Sequence, residues 1–344
     1  MSTLRPVSGP TREVVDLLRA WLEADGDPEP IVIETSGSTG AAKRVQLSRR
    51  AVVASASASR DRLGASGPWV LALPASYVAG VNVVVRALLA GHEPILLEEH
   101  GSLGAAQRAT SDGSAFISLV PTQLHRHLSV PADLAALRRF HTVLLGGGPI
   151  DPALRSRAEE EGIRVVATYG SSETAGGCVY DGYALDGVRL DVAEDGRIRI
   201  GGPTLFDGYV DDPALTAATL RDGWFLTSDV GRLHDDGRLE VLGRVDDVVI
   251  SGGVNVPTPA VARRLREHPG VEQAEVVGVP DPEWGHRVVA VVVGKIGREE
   301  ARDWVAEVHP RSWAPHEIFL TEELPLLANG KVDRQRLLSL FEEA

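Results

Sequence analysis

Apolar residues along 11–24 (TREVVDLLRAWLEA) recur at intervals of three and four, which predicts an amphipathic helix. A short apolar run at 31–33 follows, then a loop rich in Gly, Ser and Thr. Beyond it, short apolar runs alternate with helical spacing: WVLAL (69–73), EPILLE (93–98), AFISLV (115–120), TVLLG (142–146) and RVVATYG (164–170). Strands alternating with helices predict an α/β fold on a mostly parallel sheet. After about residue 180 Gly and Asp become dense. Asp-Gly pairs between short alternating runs read as hairpins of a smaller antiparallel or β-barrel-like part. The texture changes again near 244–247. A helix over 257–268, strands at AEVVGVP and RVVAVVV, and a helix over 299–308 predict a small α+β module. The expected division is a large N-terminal domain over 1–245 and a small C-terminal domain over 246–344.

Composition narrows the class. The 344 residues are 43% hydrophobic and 24% charged, enough apolar material for a real core. The net charge of −13, from 48 acidic against 35 basic residues, repels a phosphate backbone and argues against a nucleic-acid partner. A small anion remains possible where basic residues converge. One cysteine, Cys178, cannot form an internal disulfide. The first residues carry charges throughout and no apolar h-region, so no secretory signal is expected. Pro74 and Arg86 interrupt the most apolar stretch, 69–91, so no membrane span is expected and the cytoplasm is the expected location. Oligomeric state is not legible.

Residues 35–43 read Thr35-Ser36-Gly37-Ser38-Thr39-Gly40-Ala41-Ala42-Lys43. Small residues let backbone N–H groups approach a phosphate, hydroxyls add donors and Lys43 adds a point charge. The spacing is not that of a P-loop NTPase, and the plainer reading is a flexible surface loop. Four further segments follow in order: YGSSET (169–174), GWFLTSDVG (223–231), GRVDDVVISGG (243–253) and NGKVDR (329–334).

Together the five segments resemble the core motifs of the adenylate-forming superfamily, which includes acyl-CoA synthetases, luciferases and peptide-synthetase adenylation domains. PASYVAGVNVVVRALLAG (74–91), LLGGGPI (144–150) and SSETAGGCVYDG (171–182) narrow the resemblance to short bacterial o-succinylbenzoate–CoA ligases of menaquinone biosynthesis. The short run of 34 residues ahead of the loop fits compact ligases of that type.

The resemblance implies an ATP- and acyl-binding N-terminal domain and a mobile C-terminal one. It implies ATP, Mg²⁺ and coenzyme A, with a carboxylic acid activated as an acyl-adenylate and then as a thioester. Thr35, Ser36, Gly37, Ser38, Thr39, Gly40 and Lys43 would hold the phosphates. Glu173, with Thr39, would hold Mg²⁺, which needs only one or two protein carboxylates. Gly147, Tyr169, Gly170, Ser171 and Ser172 would surround adenine and the nucleotide. Asp229 would accept the ribose hydroxyls, and Arg244 would reach ribose or phosphate. Lys331 would serve the reacting oxygens with Thr39 and Glu173, and Asp246 would be the hinge. Tyr77, Gly80, Asn82 and Arg86 would line the acyl pocket, and Ser251, Gly252 and Gly253 the coenzyme A side. Plainer readings exist for each: Asp229 capping a turn, Glu173 capping a helix, Arg244 and Asp246 a surface pair, Lys331 a solvated lysine.

Ala42 stands where the family usually has proline, Ser172 where threonine is commoner, and Val254 where glutamate is frequent. Pro257-Thr258-Pro259 is an unusual version of its segment, so the coenzyme A surface departs most from the family. Arg86 has two readings. A bare Arg in an apolar helix is expensive unless paired, so it either snorkels to the surface or meets an anion. o-Succinylbenzoate carries two carboxylates, of which one is activated, and an Arg fork suits the other. Alternatives are a ligase for another aryl or short-chain acid, a ligase that loads a carrier protein, and a non-catalytic adenylate-binding protein on the same fold.

Overall fold

The computed structural model describes residues 5–35, 43–110, 114–325, 332 and 334–342. The chain divides into two compact units. The first comprises Met1–Asp191, Arg199–Leu226 and Leu233–Leu239, and the second Val192–Ile198, Thr227–Arg232 and Glu240–Ala344.

A seven-stranded sheet centres the first unit. Ile95–Leu96, Trp69–Leu71, Phe116–Leu119, Thr142–Leu145 and Val165–Ser171 run parallel in that order. Gly176–Tyr180 and Tyr183–Ala184 extend the sheet antiparallel. Phe116–Leu119 and Thr142–Leu145 are buried at every position, as a parallel sheet covered on both faces requires. Ile117, Leu119, Val143 and Leu145 pack with Leu124, Leu128 and Leu137 of the helices Pro121–Leu128 and Pro131–Leu137. Each such side chain contributes about 1.5–3 kcal/mol on burial. The run EPILLE gives only the strand Ile95–Leu96, because Leu97–His100 turns into a short helix closed by Gly101 at φ 68°.

A four-stranded sheet joins Arg5–Pro6, Ile31–Thr35, Lys43–Leu47 and Gly208–Tyr209. Ile31–Thr35 and Lys43–Leu47 are antiparallel, with Thr35 opposite Lys43, so residues 36–42 connect two paired strand ends. Two Asp-Gly pairs make the hairpins their chemistry predicts. Asp181 and Gly182 lie at φ 50° and 87°, and Asp222 and Gly223 at φ 52° and 74°. Both central residues positive defines a type I′ turn, whose twist suits two-residue hairpins. The flanking residues pair accordingly, Tyr180 with Tyr183 and Arg221 with Trp224. A five-stranded sheet of Arg189–Val192, Arg197–Gly201, Trp224–Leu233, Leu220–Arg221 and Leu239–Arg244 accounts for the Gly- and Asp-dense stretch.

In the second unit Gly285–Gly294 pairs along its length with Val271–Asp281. Val248–Ser251 with Val254–Pro257, and Glu317–Thr321, complete the sheet. Successive side chains of a strand point to opposite faces. Val288, Ala290 and Val292 therefore enter one core with Val261 and Leu265 of the helix Thr258–Arg266 and Ala301 and Val305 of Arg298–Ala306. Val289 and Val291 enter another with Leu337 of the helix Arg334–Glu342. Among the described residues no helix is long and apolar enough to cross a membrane.

Ala290 is fully buried between this strand and its helices. Ala290→Leu should destabilise the protein by about 1–3 kcal/mol through overpacking. Urea unfolding checks this, and an unchanged midpoint would mean that the face is not filled.

Candidate active site

Ligands of open α/β sheets gather beyond the carboxyl ends of the parallel strands. Two segments of the first unit meet there. Residues 146–148 leave Thr142–Leu145, with Gly147 at φ 77°, a conformation that suits glycine. Tyr169, Gly170 and Ser171 end Val165–Ser171, where the register shifts between Tyr169 and Gly170. A Cβ on Gly146 would meet the Thr168 hydroxyl at 2.2 Å, and one on Gly170 the Gly176 carbonyl at 2.1 Å. These two glycines allow backbone to approach backbone at the strand ends.

The next turn is the tightest part of the site. Ser172–Thr174 forms a single 3₁₀ turn, followed by Ala175 at φ 50° and Gly176 at φ 93°. A left-handed alanine is strained and persists only where its surroundings hold it. Here the Ala175 carbonyl accepts the Ser55 hydroxyl at 3.0 Å and the Asn82 amide at 2.8 Å. The Thr174 hydroxyl accepts the Ser171 N–H at 2.9 Å. The Ser171 hydroxyl is buried with no partner among the described residues.

Glu173, at the centre of this turn, is buried. Its Oε1 accepts the Tyr209 hydroxyl at 2.8 Å, and its carbonyl accepts the Phe206 N–H at 2.9 Å. Among the described residues no basic side chain pairs with it within 4.0 Å. Burial, then the nearby Glu173 charge, pushes the Tyr209 hydroxyl well above its usual pKa, so it stays a donor. Lys43 lies over the Tyr209 ring, 5.5 Å from its centroid. A buried carboxylate with no cationic side chain paired to it among the described residues fits a hard cation that keeps most of its ligands from water and phosphate. Among the described residues no three His, Cys, Asp or Glu side chains converge to cage a metal by themselves.

The helix Val78–Leu89 brings Asn82 and Arg86 to one face, four residues apart. Asn82, 2% exposed, donates to the carbonyls of Val78 and Ala175, and its Oδ1 has no partner among the described residues. Arg86 is 8% exposed, so it does not snorkel to solvent. Its Nη2 donates to the Tyr180 hydroxyl at 3.1 Å, its Cζ lies 5.2 Å from the Trp69 ring centroid, and its Nε is buried without a partner among the described residues. Tyr180 in turn meets the Ser59 hydroxyl at 2.7 Å. A small, partly open pocket of about 30 Å³ lies beside it, lined by Ala56, Arg60, Leu63, Trp69, Arg86 and Leu89 among others. Gly80 serves packing, since a Cβ there would meet the Pro74 carbonyl at 2.1 Å. Tyr77 caps the helix start and is exposed.

In the second unit Arg244 pairs with Asp229 at 3.6 Å, and the Asp229 N–H donates to the Thr227 hydroxyl at 3.0 Å. Asp246 sits exposed in the turn Val245–Asp247 between two strands. Ser251 is buried with its hydroxyl unpartnered among the described residues, and Gly252 at φ 55° and Gly253 at φ 79° follow. A Cβ on Gly252 would meet the Trp284 ring at 2.7 Å. Ser36, Gly37, Ser38, Thr39, Gly40 and Lys331 lie outside the described residues.

Tyr209, Tyr180 and Ser55 escaped the sequence reading. Tyr209 arrives from a distant strand, so no local spacing marks it. Ser55 and Ser59, four apart on one helical face, carried a readable signal. Cys178 is buried and its thiol is pushed up to about 12 by desolvation, so it offers no thiolate to an acyl group.

Glycine turns at the carboxyl ends of a parallel sheet, with a buried carboxylate on the turn that follows, are the features of an α/β nucleotide-binding enzyme. The AMP-binding enzyme family matches residues 26–210, and the AMP-binding enzyme C-terminal domain matches 261–331. The chain belongs to the AMP-binding enzyme family. It is 41% identical to a probable 2-succinylbenzoate–CoA ligase of Mycobacterium tuberculosis, over 97% of this chain and 91% of that protein. It is 32% identical to the 2-succinylbenzoate–CoA ligase of Listeria monocytogenes, over 94% of this chain and 72% of that protein. Among solved structures it resembles o-succinylbenzoate CoA synthetase from Bacillus subtilis in complex with the acyl-adenylate intermediate. That match has TM-score 0.70 at 27% identity and covers 89% of this chain and 68% of that one.

Gly176→Ala would place a Cβ 2.4 Å from the Asn82 amide at φ 93°. It should cost about 1–3 kcal/mol of stability and displace Asn82. Thermal unfolding and a crystal structure of the variant check this; an unmoved Asn82 would contradict the packing argument.

Proposed function

We propose that this chain ligates o-succinylbenzoate to coenzyme A through an acyl-adenylate, in the cytoplasm. One carboxylate oxygen of the acid attacks the α-phosphorus of ATP and pyrophosphate leaves. The thiol sulfur of coenzyme A then attacks the acyl carbon, AMP leaves with the bonding electron pair, and the thiol proton passes to solvent. Catalysis of the first step is largely positioning and charge neutralisation. Thr35, Lys43 and the loop residues Ser36, Gly37, Ser38, Thr39 and Gly40 hold the phosphates. Gly147, Tyr169, Gly170, Ser171 and Ser172 hold the nucleotide, and Asp229 and Arg244 take the ribose and phosphate. Mg²⁺ on Glu173 and Thr39 would neutralise phosphate charge.

The observation that carries the choice of acid is Arg86, a buried guanidinium with no carboxylate partner among the described residues and an unmet Nε donor. Such a charge is costly unless an anion meets it. A dicarboxylic aryl acid supplies that anion from the carboxylate it does not activate. Trp69 and Tyr180 fix the guanidinium in advance, which limits the ordering cost of binding. Arg86→Gln should lower kcat/KM for o-succinylbenzoate by about 1.5–3 kcal/mol and for benzoate by much less. Equal losses for both acids would make Arg86 a packing residue only.

One arrangement cannot serve both half-reactions, since the cation that assists adenylation occupies the space the thiol must enter. The module after Asp246 turns between them, and Lys331 acts only in the first. Lys331→Ala should therefore cut adenylate formation by about 10²-fold or more. The same variant should convert supplied acyl-AMP to thioester at near the normal rate. Separate assays of the two steps decide, and equal slowing of both would sink the two-arrangement mechanism.

A further inference from the structure

Residues 206–209 reach Glu173 twice, from the Phe206 N–H to its carbonyl and from the Tyr209 hydroxyl to Oε1. The same segment pairs with the strand that leaves the Gly/Ser/Thr loop, Gly208 opposite Gln46 and Tyr209 opposite Val45. The Tyr209 ring lies under Lys43, the first described residue after that loop. Its backbone is pinned in turn: the Tyr209 N–H donates to the Thr216 hydroxyl at 2.9 Å, and Thr216 donates to the Asp212 carbonyl at 2.9 Å. Phe206 packs edge-on against Tyr209, 4.9 Å between ring centroids. One tyrosine thus touches both the carboxylate and the lysine through different parts of its side chain.

We propose that Tyr209 is a positioning residue for the Mg²⁺–ATP site: its hydroxyl sets which Glu173 oxygen faces the cation, and its ring fixes Lys43. The inference rests on the adenylation reading above. With Oε1 occupied by a neutral donor, the carboxylate rotamer is locked and one oxygen remains for a cation. Without that donor a buried carboxylate loses both its orientation and a hydrogen bond to a charged acceptor, one of the stronger kinds.

The test is calorimetric titration of ATP into full-length protein without acid, over a series of Mg²⁺ concentrations. Tyr209→Phe keeps the ring and should raise the Mg²⁺ needed for half-maximal tightening about tenfold, leaving Mg²⁺-free ATP affinity unchanged. Tyr209→Leu should weaken Mg²⁺-free binding as well, since Lys43 loses the ring. Tyr209→Phe combined with Glu173→Gln should shift the midpoint no further than Glu173→Gln alone. Thr216→Val, which removes only the group holding the tyrosine backbone, should move it the same way by a smaller factor. An unchanged midpoint in folded Tyr209→Phe, or additive shifts in the double variant, would overturn the inference while wild-type ATP binding stands. Should Tyr209→Phe fail to fold, an unchanged midpoint in Thr216→Val overturns it instead. Wild-type protein that binds no ATP at any Mg²⁺ concentration would overturn the adenylation reading and this inference together.

Discussion

The Ala175 carbonyl is the point on which the first unit's chemistry turns. A left-handed alanine followed by a left-handed glycine reverses the chain between Val165–Ser171 and Gly176–Tyr180. Two side chains, Ser55 and Asn82, bond that one carbonyl from two helices, Arg49–Leu63 and Val78–Leu89. The strained turn, the helices and the strand end are therefore fixed by each other. Glu173 sits two residues before the constrained carbonyl and inherits its position. Strain at a functional site persists where surrounding structure over-determines it, and here two buried donors do so.

The first unit buries polar groups that leave hydrogen-bonding capacity unmet among the described residues. Ser171 Oγ, Asn82 Oδ1 and Arg86 Nε are all buried without partners among the described residues. Leaving such a group unmet costs about 1–3 kcal/mol each. In the Arg86–Tyr180–Ser59 chain and the Tyr209–Glu173 bond the framework satisfies part of each charged group with a neutral hydroxyl.

The second unit is built on another logic. Gly285–Gly294 carries valine or alanine at six successive positions, 288–293, so alternate side chains feed two separate cores. The residues its motifs single out lie at turns: Asp246 in the turn between two strands, and Gly252, beside Trp284, and Gly253 in left-handed conformations. Gly252 has a steric reason to be glycine whatever it binds.

The sequence by itself determined the elements and their class. Apolar runs of four to seven residues became buried parallel strands because nothing but a doubly covered sheet accommodates them. Asp181-Gly182 and Asp222-Gly223 became hairpins because their backbone preferences act within the turn itself. The ordered motifs also marked the family, since local chemistry at fixed spacing survives in one dimension. The tertiary structure alone decided which distant groups meet. That Tyr209 reaches Glu173, that Tyr180 meets Arg86, and that Ser55 holds Ala175 all join residues 36 to 120 positions apart. Whether Arg86 lies in solvent or in the interior also depended on Trp69 and Tyr180 closing over it. Periodicity reports the face a residue occupies, whereas its partner is set by how separate faces pack.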